Sequence, residues 1–269
     1  GERVLSEAVR ARLEARYNLD APISEQYFTH LWNTVQLDFG PSFKMQDFTV
    51  NEVLAQGFPV SAALGILGMV FAISIGMTSG VVSAVRRNSA YDYSFMLLAT
   101  LGIAIPNFVL AALLIVVFVF NLQMFPAAGW GDISQIILPA FCLGAPFAGY
   151  IARLTRTGML EVLGNDYIRT AYAKGLSPRT VVLKHGLRGA LLPVVSYLGP
   201  AIAGILTGSL VLERIFVIPG MGSHFIEAAI QRDYTLAMGA LLTYTVLLFV
   251  MNTLVDLAYS IIDPRVHLE

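Results

Sequence analysis

The stretch VLAQGFPVSAALGILGMVFAISIGMTSGVVSAV (residues 53–85) contains no aspartate, glutamate, lysine or arginine. About 20 consecutive apolar residues are enough for a helix to cross the hydrocarbon core of a bilayer. This stretch therefore predicts a membrane-spanning helix. Four more runs without a charged residue follow it, at residues 93–131, 133–152, 189–212 and 234–255.

These runs predict an all-helical, polytopic membrane protein with five spans in this chain. The spans are centred near residues 60–84, 94–120, 134–152, 193–212 and 236–261. Composition points the same way, because hydrophobic residues make up 56% of the chain and charged residues only 13%. A soluble domain has roughly 25% charged residues, and the mean hydropathy here is +0.69. A set of buried helices in a large soluble core is the disfavoured alternative.

The basic residues predict the orientation, since lysine and arginine are in excess on the cytoplasmic side of a membrane. Two lie in the first connection, seven in the third and one after the last span: Arg86, Arg87, Arg153, Arg156, Arg169, Lys174, Arg179, Lys184, Arg188 and Arg265. Residues 1–57 are then predicted to form an extracytoplasmic segment. Residues 58–269 form a transmembrane domain with a cytoplasmic loop at 153–192.

The N-terminal segment carries a further expectation. An outer, net-acidic segment needs a means of export, and Gly1 begins no hydrophobic run. We therefore expect a first span to precede residues 1–57, so that the intact subunit has six spans.

The cytoplasmic loop is predicted to contain two helices joined by an elbow. Asn165 or Asp166 is suited to cap a first helix over residues 167–174, and Gly175 to end it in the left-handed conformation. Ser177 followed by Pro178 is typical of the start of a second helix.

The apolar side of the first helix has two possible roles. Ile168, Ala171 and Tyr172 fall on one face, which suits docking in a groove on a partner. A basic amphipathic segment of this kind also suits contact with anionic lipid headgroups. The pattern alone leaves both interpretations open.

The loop also carries a family motif. The sequences DYIRTAYAKGL (residues 166–176) and KHGLRGALLP (residues 184–193) resemble the EAA loop of ABC-importer permeases, in the version of the dipeptide/oligopeptide permease family. RTA at 169–171 replaces the general Glu-Ala-Ala, and the distance from Gly175 to residues 192–193 is longer than in sugar permeases. Both departures are usual in the peptide subfamily.

Three other stretches resemble the same family. They are DFGPSF (residues 38–43), the loop at 213–234 with PGMG (219–222) and RDY (232–234), and DPR (263–265). The resemblance covers nearly the whole chain and is closest to the B-type oligopeptide permease subunits. That family also has an additional N-terminal span.

The resemblance implies the type I permease fold of ABC importers and a multi-pass location in the bacterial inner membrane. Expected partners are a second homologous permease, two ATP-binding ATPase subunits, an extracytoplasmic peptide-binding protein, the lipid bilayer and a peptide substrate. No nucleic acid is expected. ATP and Mg²⁺ are expected in the ATPases, with no cofactor in this chain. The ATPase-coupling surface carried over by position comprises Asp166, Tyr167, Arg169, Thr170, Ala171, Lys174, Gly175 and Leu176.

Three further features have weaker sequence signals. Pro219, Gly220, Met221 and Gly222 suit a simple turn, or an outer gate or contact with the binding protein, and the resemblance favours the latter. Asn107, beside Pro106, is predicted to face the pathway. Cys142 is predicted to be a buried, inert thiol.

Several function classes lack their motifs. The chain has no G-x-x-x-x-G-K-[ST] sequence for ATP, no H-E-x-x-H for a metal and no G-x-S-x-G nucleophile elbow. We therefore predict no catalytic or metal-binding residue and no enzymatic activity. Neither an inverted repeat nor several intramembrane acids, as a self-sufficient secondary transporter would need, is present. Nickel or another small solute remains the alternative cargo for a permease of this type.

Overall fold

The computed structural model describes residues 19–45, 48–206 and 209–262, and in the last helix it describes side chains only to Leu254 and that of Leu257. The motif at 263–265 lies outside these residues. Every regular element in the described part is a helix, and an isolated bridge joins Pro41 to Thr49. The predicted all-helical class is confirmed.

The helices follow one another with short connections. In chain order they are α1 (Ile23–Val35), α2 (Val50–Val85), α3 (Ala90–Ala104), α4 (Asn107–Asn121), α5 (Ile133–Leu163), α6 (Asp166–Ala173), α7 (Pro178–Ala190), α8 (Leu192–Leu206), α9 (Leu210–Ile215), α10 (Met221–Gln231) and α11 (Tyr234–Ile262). Within the described residues, α2, α5 and α11 are each long and apolar enough to cross a membrane. The pairs α3–α4 and α7–α8 pass the same criteria only when each bent pair is taken as one span, which gives up to five.

Two predicted spans differ in shape from the structure. The run at 94–120 is not straight, because α3 and α4 meet at an angle of 110°. Pro106 lies at this break, where its missing N–H and its ring prevent the helix from continuing. The span predicted at 193–212 coincides with α8 as far as Leu206, and a 57° bend connects α8 to α7.

The centre of the bundle is the pair α2 and α5, which approach closely along a row of small residues. A Cβ on Gly76 would lie 2.8 Å from the carbonyl oxygen of Ala148, and one on Gly80 would lie 2.6 Å from that of Ala152. Only glycine permits this backbone approach, as is typical of helix pairs in membranes.

The C-terminal end of α5 supports the loop that is predicted to be cytoplasmic. The helix continues to Leu163, well beyond the span end predicted at residue 152. Its last turns form a buried cluster with residues of α2, α6 and α7. The members are Ala84, Met159, Val162, Ile168, Ala171, Val181 and Ala190.

Candidate functional site

The elbow between α6 and α7 has the predicted geometry. Gly175 has a φ of +78°, in the left-handed region that glycine adopts without strain. The N–H of Leu176 donates to the carbonyl of Ala171 at 3.4 Å, and that of Gly175 donates to Tyr172 at 2.9 Å. This pair of bonds is the Schellman arrangement that ends a helix.

The second helix begins as its sequence predicts. The hydroxyl of Ser177 accepts a hydrogen bond from the N–H of Thr180 at 3.3 Å, and Pro178 occupies the first helical turn. Proline suits this position, since its missing N–H has no partner in a first turn anyway. The elbow is therefore fixed by local bonds at both of its ends.

The apolar side of α6 faces the protein itself. Ile168 is 2% exposed and Ala171 is 6% exposed, and both pack in the cluster at the end of α5. At these two residues the apolar side is therefore covered by the chain itself, and the coupling role that the resemblance implies for Ala171 stays a prediction. Tyr172, the third member of that face, remains 45% exposed.

The other predicted coupling residues are at the surface. Seven of the eight are exposed, and only Ala171 is buried: the exposed ones are Asp166, Tyr167, Arg169, Thr170, Lys174, Gly175 and Leu176. Arg169 and Asp166 form an ion pair at 3.5 Å with side chains that are 80% and 95% exposed. An exposed pair of this kind contributes little stability. The exposed surface of α6 and the elbow is thus polar and aromatic. The opposite side of α6 is fixed by the packing of Ile168 and Ala171 against the end of α5.

A largely buried ion pair between α3 and α5 was not predicted. Asp92, in the first turn of α3, accepts two hydrogen bonds from the guanidinium of Arg156 in α5, at 2.7 Å and 2.8 Å. The Asp92 side chain is 2% exposed. Asp92 is the only acidic residue between Glu52 and Asp132. This isolated position in the sequence is the feature from which a buried, paired acid could have been predicted. The pair ties α3 to the part of α5 on which the loop packs.

The DFGPSF motif, which is predicted to lie on the outer side, is attached to the start of α11. The carboxylate of Asp233 accepts hydrogen bonds from the hydroxyl of Ser42 and from the N–H groups of Phe43 and Lys44, the latter two at 3.1 Å. Thr235 donates to the carbonyl of Pro41 at 2.9 Å. Two stretches that resemble one family are therefore in direct contact across the chain.

Asp233 remains charged at neutral pH. Burial opposes the charged form, but the hydrogen bonds from Ser42 and from the backbone outweigh it and lower the pKa of Asp233 below its ordinary value. A lowered pKa in the folded protein stabilises the attachment above the pKa of the free side chain. That contribution is lost only as the pH falls below about 4.

We expect Asp233→Ala to release the segment around residues 38–45. The change leaves several donors without an acceptor and costs about 3 kcal/mol locally, since hydrogen bonds to charged groups are the stronger ones. Trypsin added on the outer side should then cleave after Lys44 much faster than in the wild type. Glu25→Ala, which removes an exposed acid from α1, is the matched control. Equal cleavage of all three proteins would contradict the assignment.

The predicted outer loop surrounds a second buried acid. Glu213 in α9 is 0% exposed, and its carboxylate accepts from the hydroxyl of Ser61 at 2.8 Å and from the N–H of Ser223 at 3.2 Å. Gly220 and Gly222 lie directly against this carboxylate. In the sequence, Glu213 stands out only as the first residue of the loop at 213–234.

Asn107 lies at the break between α3 and α4. Its side-chain amide is partly buried and donates to the hydroxyl of Ser209 at 3.4 Å, at the residue before α9. The break between α3 and α4 therefore contacts the residue that precedes α9. The predicted role of Asn107 in a pathway stays a prediction.

Cys142 is fully buried, as predicted. Among the described residues, no group of three or more histidine, cysteine, aspartate or glutamate side chains is arranged to hold a metal ion.

The fold is that of the membrane subunits of type I ABC importers. A chain of the MetNI methionine ABC transporter, solved in inward-facing conformations, matches with a TM-score of 0.66 and 20% identity. The match covers 78% of this chain and 96% of that one. At this identity the likeness concerns the fold alone.

The chain belongs to the family of binding-protein-dependent transport system inner membrane components, whose sequence model matches residues 72–268. It is 51% identical to the dipeptide transport system permease protein DppB of Bacillus subtilis, over 100% of this chain and 87% of that protein. It is 45% identical to the oligopeptide transport system permease protein OppB of Salmonella typhimurium, over 99% and 88%. The predicted family and the multi-pass inner-membrane location are confirmed. The chain is a permease subunit of the ABC-transporter class.

Proposed function

We propose that this chain is the permease subunit of an ATP-driven importer of dipeptides or oligopeptides. The observation that carries the proposal is the similarity, over essentially the whole chain, to permeases of dipeptide and oligopeptide transport systems. The chain would form half of the pathway, and a second permease of the same fold would form the other half. Two ATPase subunits and an outer peptide-binding protein complete the assembly.

The exposed surface of α6 and the elbow is proposed as the contact with an ATPase. Its support is mechanical, because Ile168 and Ala171 fix α6 to the end of α5, and α5 packs along α2. A displacement of the elbow would therefore move these long helices with it. ATP bound between the two ATPases supplies a ligand that distinguishes the two arrangements, as a change of state requires. ATP and Mg²⁺ belong to the ATPases in this scheme.

The loop at 219–222 is proposed to close or contact the outer mouth. Gly220 precedes the first turn of α10, and Met221 packs in a buried cluster with Val53 and Leu54 of α2. The loop is thus attached to the outer part of α2, on the side where a binding protein would deliver substrate.

Uptake of a labelled dipeptide and of a labelled pentapeptide tests this function in cells that lack the subunit. We expect the returned gene to restore uptake of at least one of them, with nickel uptake unchanged. Immunodetection of the subunit in the membrane is the control. Restored nickel uptake without peptide uptake would assign the permease to that cargo instead.

A further inference from the structure

The carboxylate of Glu213 joins three segments on the outer side. Oε1 accepts the Ser61 hydroxyl of α2, and Oε2 accepts the N–H of Ser223 in the first turn of α10. Gly222 lies directly against the same carboxylate. The Ser61 oxygen in turn accepts from the N–H of Met221 at 2.8 Å. One acid and one hydroxyl therefore hold the beginning of α10 against α2.

Glycines make this closure possible. A Cβ on Gly220 would lie 2.5 Å from Oε2 of Glu213, and one on Gly222 would lie 3.0 Å from it. On the facing helix, a Cβ on Gly57 would lie 3.0 Å from the Cα of Met221. Any side chain at these positions would displace the carboxylate or the helix. The glycines of the PGMG sequence therefore leave the space that the Glu213 carboxylate occupies.

Glu213 is held by hydrogen bonds from neutral donors, and water can replace such bonds. Among the described residues no lysine, arginine or histidine forms an ion pair with Glu213. A buried carboxylate held only by neutral donors keeps a large desolvation penalty. Opening the contact would lose the hydrogen bonds and recover the hydration of the carboxylate, so the regained hydration offsets part of the cost of opening.

The connection between α9 and α10 contains a residue in a strained backbone conformation. Val217, between α9 and α10, has a φ of +54° and is 68% exposed. A β-branched residue is a genuine outlier in this region and stays there only when its surroundings impose it. The imposing bonds flank it, since Ile218 N–H donates to the carbonyl of Glu213 at 2.7 Å and Gly129 N–H donates to that of Phe216 at 2.8 Å. Neither bond involves α10, so the left-handed conformation of Val217 belongs to the end of α9.

We propose that Glu213 is a reversible latch that holds α10 closed on the outer end of α2 and positions it as a gate, released when the transporter opens outward. The proposal rests on the function proposed above, and it assigns Glu213 a positioning role with no direct contact to substrate.

A cysteine beneath α10 tests the latch without any substrate. Ala228 in α10 is 3% exposed and packs in the cluster with Val53 and Leu54, so Ala228→Cys should react slowly with a membrane-impermeant maleimide while α10 is closed. The assembled transporter in right-side-out membrane vesicles, without nucleotide, is the sample. The fully buried Cys142 gives the background, measured in the chain that lacks Ala228→Cys.

We expect Glu213→Ala to raise the labelling rate of Ala228→Cys about tenfold, the size of change that follows the loss of hydrogen bonds to a charged group. Glu213→Gln, which keeps one acceptor oxygen, should fall between this variant and the wild type. Arg214→Gln, at the exposed neighbouring residue, should label like the wild type.

Unchanged labelling in both Glu213 variants would overturn the proposal. Loss of the assembled complex with both would show a structural role only and would equally overturn it. Peptide uptake by the wild type is measured separately. Failure of uptake together with faster labelling would reject the peptide assignment and keep the latch.

Discussion

Replacing Asp92 with asparagine is expected to destabilise the subunit by about 3 kcal/mol, because removing one partner of a buried ion pair leaves the other charge uncompensated. The carboxylate is 2% exposed and its partner Arg156 is 26% exposed. The partial exposure of the guanidinium places the expected cost at the lower end for buried pairs. At about 2–4 °C for each kcal/mol in a chain of this size, the melting temperature of the purified complex should fall by several degrees.

Two further variants separate the ion pair from other effects. Asp166→Asn removes an acid from the exposed pair with Arg169. Because such a pair contributes less than about 1 kcal/mol, the melting temperature of this variant should stay close to that of the wild type. The reciprocal exchange of Asp92→Arg with Arg156→Asp should recover part of the loss. An Asp92→Asn complex that melts at the wild-type temperature would show that the pair does not hold α3 to α5.

Replacing Gly175 with valine is expected to lower peptide uptake at least about tenfold while ATP hydrolysis by the assembled complex persists. A β-branched residue is strongly disfavoured at a φ of +78°, so the Schellman end of α6 would change and the elbow would tilt. In the part of the chain that the structure describes, no atom apart from those of the two neighbouring residues lies within 4 Å of a Cβ built at this position. The effect therefore comes from the backbone or from a partner, and not from a clash within the chain.

Gly175→Asn distinguishes these two origins, because asparagine tolerates the left-handed region. If the backbone alone matters, the asparagine variant should transport nearly as well as the wild type. If the ATPase needs the space above the elbow, both variants should lose uptake. Wild-type uptake in the valine variant would contradict any coupling role for the elbow.

The elbow was predictable from the sequence because local chemistry determines it. A cap at Ser177, a proline at the next position and a glycine after a short helix have the same consequence wherever they occur. The all-helical class was predictable for a similar reason, since an apolar run in lipid must satisfy its own backbone hydrogen bonds.

The buried acids depend on contacts that are distant along the chain, and the sequence does not contain that information. Asp92 is joined to Arg156 where α3 packs on α5, and Glu213 is joined to Ser61 where α9 meets α2. For a related reason the sequence left open what the apolar face of α6 contacts. Helical spacing shows that Ile168 and Ala171 share a side, but it does not show what covers that side.

Cross-linking of the cytoplasmic elbow to an ATPase subunit tests the central claim most directly. Arg169→Cys, on the exposed side of α6, and Ala171→Cys, on its buried side, would each carry a photoactivatable thiol reagent in the assembled complex. If the exposed surface of α6 contacts an ATPase, we expect an adduct between this subunit and an ATPase from Arg169→Cys and little or none from Ala171→Cys. A complex that contains the ATPases but gives no adduct from Arg169→Cys, or equal adducts from both positions, would contradict it.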